Sequence, residues 1–261
     1  MAGKRDLAAL ALGALAVAGL ALVLPTPAVD ASVGYSHVVL GFRPVAFWRL
    51  GERSGNTAFD SSPHGNNGVY QGKPLLGRPG AITRDPDTSV RFDGKDDDVV
   101  WRPSSSFRGS FTVIAWINKV GGTGNPEQTF LDTRTPTAEF SFDFKLSRGH
   151  LKVDVGNGRR WFLTGPGIPH AFKLRTWYQV AAVVRSTHVT LYVNGRSIGS
   201  ESYPFGTGTP LLFDRSHRVY LGTNARFADE RFFGRLDEVA IYLRPLTAGK
   251  ITGLYQSGVA G

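Results

Sequence analysis

The chain contains no cysteine and only one methionine in 261 residues. Disulfide frameworks, thiol nucleophiles and thiolate-bound metals are therefore excluded, and an exported form must rest on its hydrophobic core alone. The six histidines stand singly at positions 37, 64, 150, 170, 188 and 217. None pairs with another at ligand spacing and no HExxH-like helix exists, which argues against zinc. A Gly-x-Ser-x-Gly elbow is missing, as is a phosphate-binding glycine loop followed by a helix. No run of five or more basic residues occurs, and Arg159, Arg160 and Trp161 make too short a strip for nucleic acid. There is no internal repeat, low-complexity tract or sign of a second folded domain.

What is present points to strands. Thirty-two glycines and 15 prolines punctuate many short apolar runs, and 17 phenylalanines supply ample core material. An all-β chain with many turns follows, and its length suits one large sandwich domain. Residues 1–31 differ from the rest. Lys4 and Arg5 precede an uncharged apolar run, 7–24, that ends near Pro25 and Pro27. This is either a secretory signal cleaved after Ala31 or an uncleaved anchor helix, because its 18 residues reach the lower limit for crossing a bilayer. Both readings place the domain outside the cytoplasm, secreted or held on the outer face of the membrane. The formal charge of +9 belongs entirely to the remainder, since Lys4 and Arg5 balance Asp6 and Asp30. A basic exterior either attracts an anionic partner or simply aids solubility.

Local patterns set the elements. Residues 32–43 read as a linker and 44–261 as the domain. In 110–119, Phe111, Val113, Ala115 and Ile117 share one face while Ile114 and Trp116 take the other, the mark of a central strand. Tyr178, Val180, Ala182 and Val184 alternate, as do Val189, Leu191 and Val193. Asn194-Gly195 then predicts a type I′ turn returning onto 197–201. Near the C-terminus Thr247 caps a short helix with Leu246 and Ile251 as a hydrophobic staple, and Gly258 is its expected stop.

Five segments, 44–72, 89–101, 110–119, 176–199 and 232–258, occur in an order that resembles the bacterial laminin-G-like members of the concanavalin A-like lectin/glucanase superfamily. The resemblance implies a two-sheet antiparallel jelly-roll sandwich with one short C-terminal helix. It also implies a structural calcium on the convex side, held by Asp237 with Gly51 or Glu52 and Asp93-Gly94; Asp60 is a further candidate. The alternative gives these residues turn and salt-bridge roles only: Asp60 as an Asx-type cap, Asp93 in a turn, Asp237 beside arginine.

The glucanase branch uses carboxylates on alternate residues of one strand, and that Glu-x-Asp-x-x-Glu pattern is missing here. Asp237 and Glu238 are adjacent, hence expected on opposite faces, and Asp96, Asp97 and Asp98 are expected as a solvated acidic turn. The expected role is thus a non-catalytic recognition domain for a glycan or surface protein. Trp161, Arg160, Trp101 and Tyr203 are the candidate ligand contacts, with Trp116 and Phe205 also considered and Trp48 and Trp177 assigned to the core. Two other readings stay open: an anchored accessory subunit capping a membrane complex, and a glycoside hydrolase with an unfamiliar site.

Overall fold

A computed structural model describes residues 34–134, 140–227 and 229–260. The signal or anchor expected at 1–31 lies outside the described residues.

Two large antiparallel sheets face each other. The eight-stranded sheet runs in the order Arg196–Ser202, His188–Val193, Tyr178–Val184, Phe111–Lys119, Phe233–Tyr242, Thr88–Asp93 and Leu75–Pro79, with Ala46–Trp48 also paired to Phe233–Tyr242. The nine-stranded sheet runs Trp161–Leu163, His150–Gly156, Phe142–Ser147, Glu127–Asp132, Val219–Leu221, Asp98–Trp101, Gly68–Gln71 and Thr57–Ala58, with Ile168–Pro169 joined to His150–Gly156. Alternation sorts the side chains as period two requires. Phe111, Val113, Ala115 and Ile117 enter the inter-sheet core with Val180, Ala182, Val184 and Leu191, and meet Phe142, Phe144, Leu151 and Val153 from the other sheet. Asn194 at φ +50 and Gly195 at φ +73 make the expected turn, which both residues tolerate.

The outer face of the eight-stranded sheet is covered rather than open. Ile114, Trp116, Ala181, Val183, Tyr192 and Tyr242 form a second apolar layer under Leu246, Ile251 and Leu254 of the helix Ala248–Val259. The rest of the cover comes from the expected linker, which contains the helix Tyr35–Gly41. Its Tyr35 and Val39 are buried against the same layer, and the Trp116 indole N–H donates to the Tyr35 hydroxyl at 3.1 Å. Thr247 caps the C-terminal helix, but Gly258 does not stop it. That glycine lies inside the helix, where a Cβ would come 2.7 Å from the Trp116 ring.

Candidate functional site

The long strand Phe233–Tyr242 changes one of its neighbours midway, from Thr88–Asp93 to Ala46–Trp48. At that exchange it bulges, with Glu238 at φ +52. Leu236 and Val239 both enter the inter-sheet core, so Asp237 and Glu238 escape the strict alternation expected of neighbours. Both are buried, at 2 % and 0 % exposure. Asp237 Oδ2 accepts the Ala81 N–H at 2.7 Å, whereas Oδ1 has no hydrogen-bond partner. Glu238 accepts from Arg49 at 3.0 Å, and the same guanidinium meets Asp85 at 2.7 Å and Asp87 at 2.9 Å.

Three carboxylates thus surround one fixed cation, with Asp237 beside them. Burial, then the charge of Glu238, pushes the Asp237 carboxyl well above its usual range. Burial likewise lifts Glu238 to about 8 against the pull of Arg49. Gly51 and Gly80 form close walls: a Cβ on Gly51 would fall 1.8 Å from Asp87 Oδ1, and one on Gly80 would fall 3.1 Å from Asp237 Oδ2. The orphaned Asp237 oxygen is an acceptor of the kind a hard cation takes, and Asp237 with the half-buried Asp87 would be the residues to hold one, although the Arg49 guanidinium already neutralises part of the cluster.

Of the other expected metal ligands, Gly51 walls this cluster, while the side chains of Asp93, Glu52 and Asp60 are engaged in bonds of their own. Asp93 pairs with Phe233, four residues along the strand from Asp237, or about 13 Å away. It closes its own turn by accepting the Lys95 N–H at 2.8 Å, and Gly94 turns the chain there at φ +76. Asp93, Asp96 and Asp97 do converge, but Asp97 accepts the N–H groups of Lys73 and Asp93. Nor is that turn the solvated tip expected, because Asp97 and Asp98 are buried and Asp98 lies 3.7 Å from Arg231. Glu52 receives the Phe59 N–H at 2.8 Å and the Tyr70 hydroxyl at 2.6 Å. Asp60 takes four hydrogen bonds, from the N–H groups of Phe47, Ser62 and Asn66 and from the Ser62 hydroxyl. Its oxygens are committed to tying the loop to the first strand.

The nine-stranded sheet presents its outer face differently. Asp132, Asp143 and Asp154 stand directly opposite one another on three neighbouring strands. Like charges in register repel. Two cations offset this: Arg134 pairs with Asp143 and lies 3.6 Å from Asp132, and Lys145 lies 3.1 Å from Asp143 and 2.9 Å from Glu230. Burial and then Asp143 raise Asp132 to about 8, and the same two causes raise Asp154 to about 7. Burial acts upward on Asp143 too, yet Arg134 and Lys145 outweigh it and hold that carboxylate low.

Such divergent pairs are what acid–base chemistry uses. Here, however, the row is closed. The three aspartates are at most 2 % exposed and Lys145 is also 2 % exposed. The Arg134 guanidinium is flanked by the Trp161 ring at 5.3 Å and the Phe227 ring at 5.4 Å. Three carboxylates adjoin, but none of them lines a cleft described for this chain.

Further along the same face an open cleft of about 530 Å³ lies over the strands Gly68–Gln71 and Asp98–Trp101. His64, Asn67, Gln71, Arg102, Ser104 and Arg218 line it. It contains one of the expected ligand residues, but Trp101 offers only its edge. The ring is 4 % exposed and packs edge-on against Trp48 and Phe213. Trp161 and Arg160 are at the opposite end of the sheet, where Trp161 rests edge-on against Phe140. Five strand spacings, about 24 Å, separate the strands of Trp161 and Trp101. Tyr203 is a core residue: its ring stacks on Phe162 and its hydroxyl donates to the Arg185 carbonyl. Of the other two considered, Trp116 is buried under the helices and Phe205 is exposed. Trp48 is core as expected, while Trp177 is half-buried at the margin of the helical layer, 5.1 Å from the Arg235 guanidinium.

By sequence the chain matches no curated protein. By structure it is similar to the receptor binding domain of a botulinum neurotoxin C/D mosaic serotype, at 13% identity and TM-score 0.59, over 82% of this chain and 51% of that one. It is similar also to the binding domain of Paraclostridial Mosquitocidal Protein 1, at 17% identity and TM-score 0.60, over 84% and 53%. A third is the binding domain of botulinum neurotoxin DC in complex with SialylT, at 12% identity and TM-score 0.56, over 82% and 51%. The chain therefore spans about half the length of these domains. Residues 93–252 match the laminin-G-like family described as the concanavalin A-like lectin/glucanases superfamily, and with the sandwich and its partly helix-covered faces on view, the chain belongs to that family.

Proposed function

We propose that this protein is an exported, non-catalytic recognition domain that binds a glycan on the outer face of its nine-stranded sheet. The observation that carries this reading is the cleft over Gly68–Gln71 and Asp98–Trp101. Its volume suits a small ligand, and its amides, hydroxyl and guanidinium groups are the planar and polar partners that sugar hydroxyls need. The other large face is sealed by two helices. The solved structure of a related fold with SialylT bound supports a saccharide over other small ligands.

The aspartate row is at most 2 % exposed, which supports the non-catalytic reading. A structural calcium belongs to the same proposal. Bound at Asp237, it would tie the C-terminal strand to the segment 81–87, away from the cleft. Titrating the purified full chain with a panel of glycans tests the reading. Saturable binding at micromolar to millimolar ligand, lost on replacing Gln71 and Ser104 by alanine with the melting temperature unchanged, is expected. Absence of binding to every glycan at millimolar concentration overturns it.

A further inference from the structure

Two arginines set the charge of the cleft. Trp101 pairs with Val219 and Val100 with Tyr220, so the same register places Arg102 opposite Arg218 one step further on. Like charges directly opposite across two strands repel. Neither guanidinium makes an ion pair or a side-chain hydrogen bond with a described residue, and none of the residues lining the cleft is acidic. The contrast with the rest of this face is sharp. Arg134, Lys145 and Lys152 are each matched by carboxylates within 4 Å, and Arg231 lies beside Asp98. Among the described residues of this face, the cleft is where the sheet sets two cations facing each other without an anion between them.

We infer that the cleft selects an acidic saccharide, one bearing a carboxylate or a sulfate, with that group seated between Arg102 and Arg218; the inference rests on the glycan reading above. A guanidinium pair presents donor forks that match the oxygens of either group, and the anion removes the repulsion that the fold builds in. Asn67, Gln71 and Ser104 then face the sugar hydroxyls, while Val69, 47 % exposed, and the edge of Trp101 meet its apolar side. His64 sits at the rim, where its ring nitrogens add a further hydrogen-bonding partner. The +9 charge of the chain draws an anionic chain toward the surface, but the two arginines decide where it is held.

Matched pairs of ligands test this on the full chain: sialylated and unsialylated lactose, an oligouronate and its methyl ester, and a sulfated disaccharide with its unsulfated parent. The acidic member of at least one pair should bind about tenfold or more tightly than its neutral partner, as one charge-assisted pair implies, and the pairs tell carboxylate from sulfate. Arg102→Gln with Arg218→Gln should remove that preference at an unchanged melting temperature. Arg175→Gln with Arg196→Gln, both exposed and outside the cleft, should change it by less than about twofold. Equal binding of acidic and neutral forms overturns the inference and leaves the glycan reading standing. Equal losses in both double variants also overturn it, since bulk charge would then be the cause. Failure of every glycan to bind removes both.

Discussion

Asp154 is the residue where burial and charge are least reconciled. Its Oδ1 has no hydrogen-bond partner, and Arg134, Lys145 and Lys152 approach its other oxygen only to 3.6–3.8 Å. With its carboxyl raised to about 7, the folded state keeps a proton that the unfolded chain releases near pH 4. The contribution of Asp154 to stability should therefore fall as pH rises from about 4 through 7 and then level off. Asp154→Asn carries no such proton. It should match the wild type near pH 4 and exceed it by about 1–3 kcal/mol at pH 8, as read from chemical denaturation at the two pH values. A variant less stable than wild type at pH 8 would show that the carboxylate is ionised and needed by Lys145. Asp143 behaves oppositely. Its carboxylate is held low by Arg134 and Lys145, so Asp143→Asn should take from two buried cations the carboxylate they share and cost about 1–3 kcal/mol at neutral pH, their remaining partners limiting the loss.

At the scale of elements, the C-terminal helix separates two uses of glycine. A Cβ at Gly249 meets nothing within 4 Å, whereas one at Gly258 comes 2.7 Å from Trp116 and 3.2 Å from both Tyr35 and Ile82. Gly249→Ala should thus raise stability by about 0.5–1 kcal/mol through helix propensity alone. Gly258→Ala should lower it by about 1–3 kcal/mol by prising the helix from the sheet. Equal thermal shifts of one sign would show that the helix does not dock on Trp116 as described.

The same elements show what the sequence could and could not disclose. Period-two alternation identified both faces of Phe111–Lys119, and Asn194-Gly195 fixed the hairpin of His188–Val193 with Arg196–Ser202, because each depends only on nearby residues. The helix Tyr35–Gly41 has no side-chain N-cap bond and no acidic first turn, so nothing local announced it; its stability comes from the sheet beneath. The aspartate row was hidden for another reason. Segments 142–147 and 150–156 alternate apolar and charged residues, a pattern that reads as a solvated face. Only the registers of two strand pairings place Asp132, Asp143 and Asp154 side by side, and only the side chains above them take that face out of water. Arg102 and Arg218 are similarly remote in sequence and meet through one register.

Over the whole molecule the two outer faces divide the labour. One carries a covering of helices and, at its margin, an acidic cluster centred on Arg49; the other carries a closed polar network and an open basic cleft. A cation at the acidic cluster would bind only the folded chain, because Asp237, Asp87 and the Gly51–Gly80 walls come from segments far apart in sequence. Mass action then stabilises the fold by ~2.7 kcal/mol when free calcium is about 100 times its dissociation constant. Treatment of the purified protein with a chelator should lower its melting temperature, and restored calcium should raise it again. Asp237→Asn should lose most of that response while keeping the sandwich, since its amide can still accept the Ala81 N–H. Asp96→Asn, in the exposed turn beside Asp93, should respond to calcium as the wild type does. A melting curve indifferent to chelator, from protein free of calcium by elemental analysis, would leave Asp237 as an ordinary acceptor for the Ala81 amide, with its second oxygen protonated rather than bound to metal.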